Sequence, residues 1–229
     1  MKKIVLLLSC VALFVACGNK TEQCACEGAK CEKCMKEKFV SKYTNADFYK
    51  DGVFQEEVAK QAFIEMFNYY DYPITDYLKE NWWFLDFGLG DFEHCGMGGV
   101  FWVNDPDYGF FAHDIYLLPN QMLPEHKHVP TNFPVKMESW MVRNGWAYNF
   151  SEVGEPTEGW EAIIPESQKA TTISKHFVKQ NVGDIIHLRD AGEQTWHFLV
   201  GGDQGAIVHE WARYHDGTGN RYTNPKAVM

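Results

Sequence analysis

From Phe84 onward the chain breaks into short aromatic and β-branched runs, among them GGVFWV, YGFFAHDIYLL, MESWMV, WAYNF, GDIIHL, TWHFLV and GAIVHEWARY, separated by Gly, Asp, Asn and Pro clusters. Runs of this kind fit half-buried pleated surfaces, and the punctuation between them supplies turns. A parallel pair of strands needs a long crossover, usually a helix, and none of that size lies between these runs. The pattern therefore predicts antiparallel strands in an all-β sandwich or barrel of jelly-roll type.

The pattern ahead of the strands is helical. Between Asn45 and Asn81, Val58, Ala62, Phe63, Met66 and Phe67 recur at three- and four-residue steps. Pro73 ends that run, and Ile74, Tyr77 and Leu78 predict a second short helix. Helices with one apolar stripe must cover something, so they are expected to pack outside the barrel. A chain of 229 residues, 45% of them apolar, buries one sizeable core, which implies one main domain.

That domain does not include the beginning of the chain. Lys2 and Lys3 precede the apolar run Ile4 to Ala16, which is too short for a permanent membrane span and suits the core of a signal peptide. The run closes in LFVACGNK, which resembles a bacterial lipoprotein signal with Cys17 as the lipidated first residue of the mature protein, although Phe14 stands where Leu is usual. An ordinary secretory signal cut nearby is the alternative; either predicts export. Residues 17–40 are a polar tether in which Cys24, Cys26, Cys31 and Cys34 suit disulfides of undecided pairing, an inert linker, or a soft metal ion. The expected organisation is a signal peptide over 1–16, a tether over 17–40 and the main domain over 41–229.

The formal net charge of −10 becomes more negative once Lys2 and Lys3 are removed. Such an acidic protein lacks the electrostatic footprint for nucleic acid or an anionic lipid surface. Contact with a membrane is expected only through the lipid on Cys17, at the cell envelope.

The stretch PEHKHVPTNFPVKMESWMVRNG, Pro124 to Gly145, places polar groups at alternate positions in apolar surroundings. In a strand, His126 and His128 share one face, as do Lys136, Glu138 and Trp140. If that face is interior, burying these groups costs several kcal/mol each unless they are paired or bound to a metal. Two imidazoles and a carboxylate are suitable ligands for a divalent cation.

The same stretch resembles the first motif of the cupin superfamily, with Asn120 for the leading glycine, His126 and His128, then Glu138 followed after six residues by Gly145. Asn tolerates the left-handed backbone that the glycine usually supplies. The gap of nine residues from Val129 to Met137 is longer than usual and implies a loop over the barrel mouth. GDIIHLRDAGEQTWHFLVGG resembles the second cupin motif, which implies His197 as the fourth ligand, with His187 as its rival. The remaining histidines are expected to be ordinary hydrogen-bonded residues. The resemblance implies a cupin jelly-roll barrel.

Among cupins the chain is similar to the D-lyxose isomerase family, whose members carry a lysine two residues before the metal-binding glutamate, as Lys136 stands before Glu138. They also carry a late-strand glutamate, an acidic residue and an Asn-Arg-aromatic triplet, here Glu210, Asp216 and Asn220-Arg221-Tyr222. The resemblance implies a metal-dependent aldose–ketose isomerase. A divalent ion (Mn, Zn, Fe, Co or Ni) on His126, His128, Glu138 and His197 would act as a Lewis acid toward the two oxygens of an enediol. Glu210 would shuttle the proton, Lys136 would serve a sugar oxygen, and Arg221 and Asp216 would bind the small sugar substrate. Periodicity alone does not choose between His209 and Glu210 for the inner face. Trp140, in phase with Glu138, is expected to line the pocket, whereas Phe101, Trp102, Trp146, Trp196 and Trp211 fit either core or sugar stacking. A homodimer is expected of such a barrel. Two other classes stay open: an iron-dependent dioxygenase, and a non-catalytic metal-containing carbohydrate-binding cupin.

Overall fold

A computed structural model describes residues 36–229. Cys17 and the four tether cysteines lie outside the described residues. The chain divides after Glu37, and Lys38–Met229 forms one compact unit. Among the described residues no helix is long and apolar enough to cross a membrane.

The unit opens with a short helix α1 (Asn45–Phe48), a two-stranded hairpin of β1 (Tyr49–Lys50) and β2 (Val53–Phe54), and the main helix α2 (Glu56–Tyr69). Ala59, Ala62, Phe63, Met66 and Phe67 form the buried stripe of α2. Full burial of a large apolar side chain contributes roughly 1.5–3 kcal/mol, so this stripe is what fixes the helix to the sheet. The second predicted helix is α3 (Asp76–Asn81), where Thr75 caps the N-terminus by accepting from the Leu78 amide.

Antiparallel strands make up the rest: β3 (Trp82–Leu85), β4 (Met97–Asp105), β5 (Phe110–Leu117), β6 (His126–His128), β7 (Glu138–Ser151), β8 (His176–Asn181), β9 (Ile185–His187), β10 (His197–Arg213) and β11 (Asn220–Tyr222). Two helical turns, α4 (Trp160–Ile163) and α5 (Glu166–Lys169), lie between β7 and β8. The strands form one sheet in the order β11-β6-β10-β5-β4-β3, with β7 pairing β10, β8 and β9. The sheet curls into the all-β jelly-roll barrel the sequence predicts, with α2 and α3 packed outside it.

Two pairs of expected strands are each continuous. MESWMV and WAYNF are halves of β7, and TWHFLV and GAIVHEWARY are halves of β10. Glycine lets the long strands bend without ending: the β7–β10 register shifts between Gly201 and Ala206. Gly145, with φ +69°, lies opposite Ala206, and a Cβ there would come within 2.1 Å of the Gly205 carbonyl oxygen. Asn120 has φ +59°, the left-handed turn expected of it.

Alternation sorts each strand between two cores. On β5, Ile115 and Leu117 join the barrel interior with Trp140, Val142 and Val208, while Tyr116 joins the outer core of α2. On β10, Ala206 and Val208 face inward and Ile207 outward. His113 and Glu210 share the inward parity of these residues.

Candidate active site

The barrel encloses a cavity of about 350 Å³. His126 and His128 come from β6, Glu138 opens β7, and His197 opens β10, directly opposite His126 in the sheet. All four are buried, and one potential ligand atom from each lies within 4.8 Å of the others. His187 is not in the cluster; its Nδ1 meets Ser139 Oγ at 2.8 Å.

The imidazoles are set up to present lone pairs. Nδ1 of His126 lies 3.0 Å from the Pro124 carbonyl, Nδ1 of His128 lies 2.8 Å from Asn220 Oδ1, and Nδ1 of His197 lies 2.8 Å from the Thr195 carbonyl. Each oxygen claims the proton for Nδ1 and leaves Nε2 as the free ligand atom. Burial, reinforced by its neighbours His197 and His128, holds His126 well below the ordinary histidine range, which favours the neutral, ligating form. Nε2 of His128 is buried without a hydrogen-bond partner although it lies 2.9 Å from Glu138 Oε1. His197 Nε2 lies 3.0 Å from Glu138 Oε2. Donors bound at about 2.1 Å around one ion sit roughly 3 Å apart, so these spacings fit a shared divalent cation.

Beside the cluster stands a second set of charges. Lys136 precedes β7 in the loop from Val129 to Met137, and its ammonium reaches into the cavity to Glu138 and, at 2.6 Å, to Glu210 Oε1. Burial alone would lower the Lys136 pKa, but Glu138 and Glu210 outweigh it and keep the ammonium protonated above its usual range. Burial would raise the Glu138 pKa; His128 and Lys136 hold that carboxyl well below its usual range. At Glu210, burial and Glu138 push upward, while Lys136 and His113 prevail and keep it an ionised carboxylate. One ammonium thus bridges a candidate ligand and a carboxylate outside the donor cluster.

The other expected site residues fall in different places. Trp140 is buried behind the cavity wall, its Nε1–H donating to Glu210 Oε2 at 3.2 Å. Arg221 is exposed and donates to the Thr218 and Asn220 carbonyls, away from the cavity. Its neighbours Asn220 and Tyr222 line the cavity instead, because adjacent residues of β11 point to opposite faces. Asp216 caps a turn, accepting from the Thr218 amide at 3.0 Å and from Thr131 Oγ1 at 2.7 Å, and does not line the cavity.

His113 and His215 also line the cavity, and neither is singled out by sequence. Burial, with Lys136 adding to it, pushes His215 down to about 3, so it stays neutral. His113 lies among the aromatic residues of YGFFAHDIYLL, where a histidine reads as an ordinary core residue. Its parity with Ile115 and Leu117 was the available signal, and it becomes informative only when the inner face is known.

No family model matches the chain. The D-lyxose/D-mannose isomerase of Thermosediminibacter oceani is 34% identical over 154 residues, covering 67% of this chain and 82% of that protein. The D-lyxose ketol-isomerase of Cohnella laeviribosi is 30% identical over 169 residues, covering 73% of this chain and 90% of the relative. This chain belongs to the D-lyxose isomerase family. At the level of fold, the L-ribose isomerase of Acinetobacter sp. DL28, solved in complex with L-ribose, matches with a TM-score of 0.55 at 17% identity, covering 75% of this chain and 91% of that one. In this family member a buried His/His/Glu/His cluster suited to a divalent ion stands beside a carboxylate, Glu210, that Lys136 ties to it.

Proposed function

We propose that the protein is a metal-dependent aldose–ketose isomerase acting on a small sugar, in the manner its D-lyxose isomerase relatives are named for. The observation that carries the proposal is the pairing of Lys136 with Glu210 at 2.6 Å beside the buried donor cluster. Isomerisation moves a proton between neighbouring carbons through an enediol, which requires a base at the carbons and positive charge at the oxygens.

His126, His128, Glu138 and His197 would hold the divalent ion, which supplies Lewis acidity to the substrate oxygens. Glu210, kept ionised and lining the cavity, takes the proton from one carbon and returns it to the next. Lys136, kept cationic, hydrogen-bonds the oxygen that gains negative charge and holds Glu210 in reach of the carbons. The largely apolar wall, including Trp83, Phe101 and Phe111, offers faces for the carbon skeleton.

The sequence ahead of the domain supports work outside the cytoplasm, with Cys17 as a lipid anchor at the envelope and residues 17–40 as the tether. Elemental analysis of the purified protein, followed by incubation with a panel of pentoses and hexoses, tests the proposal. About one metal ion per chain together with aldose-to-ketose conversion is expected. Metal without conversion of any sugar would overturn the isomerase reading and favour a non-catalytic binding barrel.

A further inference from the structure

Glu210 is flanked in the sheet by His113 on β5 and Trp140 on β7, each directly opposite it in register. Both neighbours aim a ring nitrogen at the same carboxylate oxygen: His113 Nε2 lies 3.0 Å from Oε2, and Trp140 Nε1 lies 3.2 Å from it. The other oxygen, Oε1, meets Lys136 Nζ at 2.6 Å. All four side chains are buried.

The surroundings of His113 decide which nitrogen carries its proton. Its Nδ1 is buried without a hydrogen-bond partner, and its ring centroid lies 4.7 Å from that of Phe111 and 5.7 Å from that of Phe101. A proton on Nδ1 would leave an N–H unsatisfied against apolar rings and set the Nε2 lone pair against a carboxylate. The proton therefore sits on Nε2 and is donated to Oε2. With two N–H donors on its two lone pairs, Oε2 has none left to receive a proton from substrate. Oε1 keeps one lone pair beyond the bond from Lys136.

We propose that His113 is a positioning residue that divides the labour of the Glu210 carboxylate, fixing Oε2 as the anchor and leaving Oε1 as the oxygen that exchanges protons with substrate. The inference rests on the isomerase reading for the role of Glu210, but the anchoring itself is a property of the fold. Its physical basis is rigidity. Two strands on opposite sides of β10 hold one oxygen, so the carboxylate does not turn about its last bond, and a displacement of about 1 Å at a reacting group costs on the order of a hundredfold in rate.

The test compares His113→Phe, which keeps an aromatic ring and removes the donor, with His113→Gln, whose amide N–H reaches about as far as Nε2. In His113→Phe, kcat is expected to fall roughly a hundredfold with KM within about threefold of wild type and metal content unchanged. Exchange of the substrate C2 hydrogen with solvent deuterium falls by the same factor, and His113→Gln recovers at least about tenfold of the loss. A His113→Phe kcat within about twofold of wild type overturns the proposal. So does an equal loss in both variants with Glu210 unmoved in their crystal structures. If His113→Phe does not fold, His113→Asn, whose amide is too short to reach Oε2, takes its place. If wild type converts no sugar, the isomerase reading is what fails; crystal structures of wild type and the donor-deleted variant then decide the anchoring, a turned Glu210 carboxylate sustaining it and a superimposed one overturning it.

Discussion

Lys136 and Glu210 are 74 residues apart in the chain, yet the lysine ammonium lies 2.6 Å from Glu210 Oε1 inside the barrel. With Glu138 as its second partner, Lys136 is a buried cation compensating two buried carboxylates. Removing one member of such a set leaves charge stranded in a poorly solvating interior. Lys136→Met is therefore expected to destabilise the metal-free protein by about 3–5 kcal/mol in urea unfolding. Adding Glu210→Gln to it should recover part of that loss, giving a coupling of at least about 1 kcal/mol in a double-mutant cycle. Strictly additive losses would show that the lysine and the carboxylate are energetically independent.

The donor cluster sets a second expectation. An ion bound to the folded state alone stabilises it by mass action. Chelation should lower the Tm, and restoring a divalent metal should raise it again. His197→Ala should bring the metal content, measured by elemental analysis, from about one per chain to well below half, because a buried ligand is lost. His187→Ala should leave it unchanged, since His187 binds Ser139 on the far side of β7. Equal metal loss in both variants would contradict the assignment of the fourth ligand.

Outside the barrel, Asp114 accepts from His209 at 2.5 Å and from Tyr72 at 2.6 Å. Burial alone would raise its pKa, but these hydrogen bonds prevail and hold the carboxyl below its usual range. A depressed folded-state pKa means that the stabilisation is present above the unfolded value, about 3.9, and is lost as pH falls through the folded value. Asp114→Asn is expected to cost about 1–3 kcal/mol at pH 7, and the gap to wild type should narrow as pH drops below about 4. A gap that stays constant across that window in denaturant titrations would show that the charge of Asp114 contributes nothing.

Gly145 offers a purely steric test. Its φ of +69° and the 2.1 Å approach of a built Cβ to the Gly205 oxygen leave no room for a side chain. Gly145→Ala should destabilise by at least about 2 kcal/mol, combining backbone strain with a forced shift of β10. Asn120→Gly, at φ +59°, should be neutral or mildly stabilising, because glycine adopts that conformation without strain. Thermal unfolding of the two variants checks both signs.

Much of the architecture could be read from the chain alone, because it depends on local chemistry. Short β-branched and aromatic runs without crossover helices require antiparallel pairing, and the stripe of Ala62, Phe63, Met66 and Phe67 requires a covering helix. The spacing of His126 and His128 places both on one face of a strand wherever that strand lies. Strand continuity was less legible: Gly145, Gly201 and Gly205 suggest ends, whereas in β7 and β10 they permit bends.

What the chain could not decide was which face is inside. A period of two states which side chains go together and is silent on whether Glu210 or His209 enters the barrel. The packing of α2 against Tyr116 and Ile207 settles it, turning those residues outward and, by alternation, His113 and Glu210 inward. The same alternation in β11 turns Arg221 to solvent and brings Asn220 and Tyr222 to the cavity. Sequence thus determined the strands and the donor types. The convergence of the donor cluster with Lys136, Glu210 and His113 was decided only by tertiary structure, because it depends on which strands become neighbours.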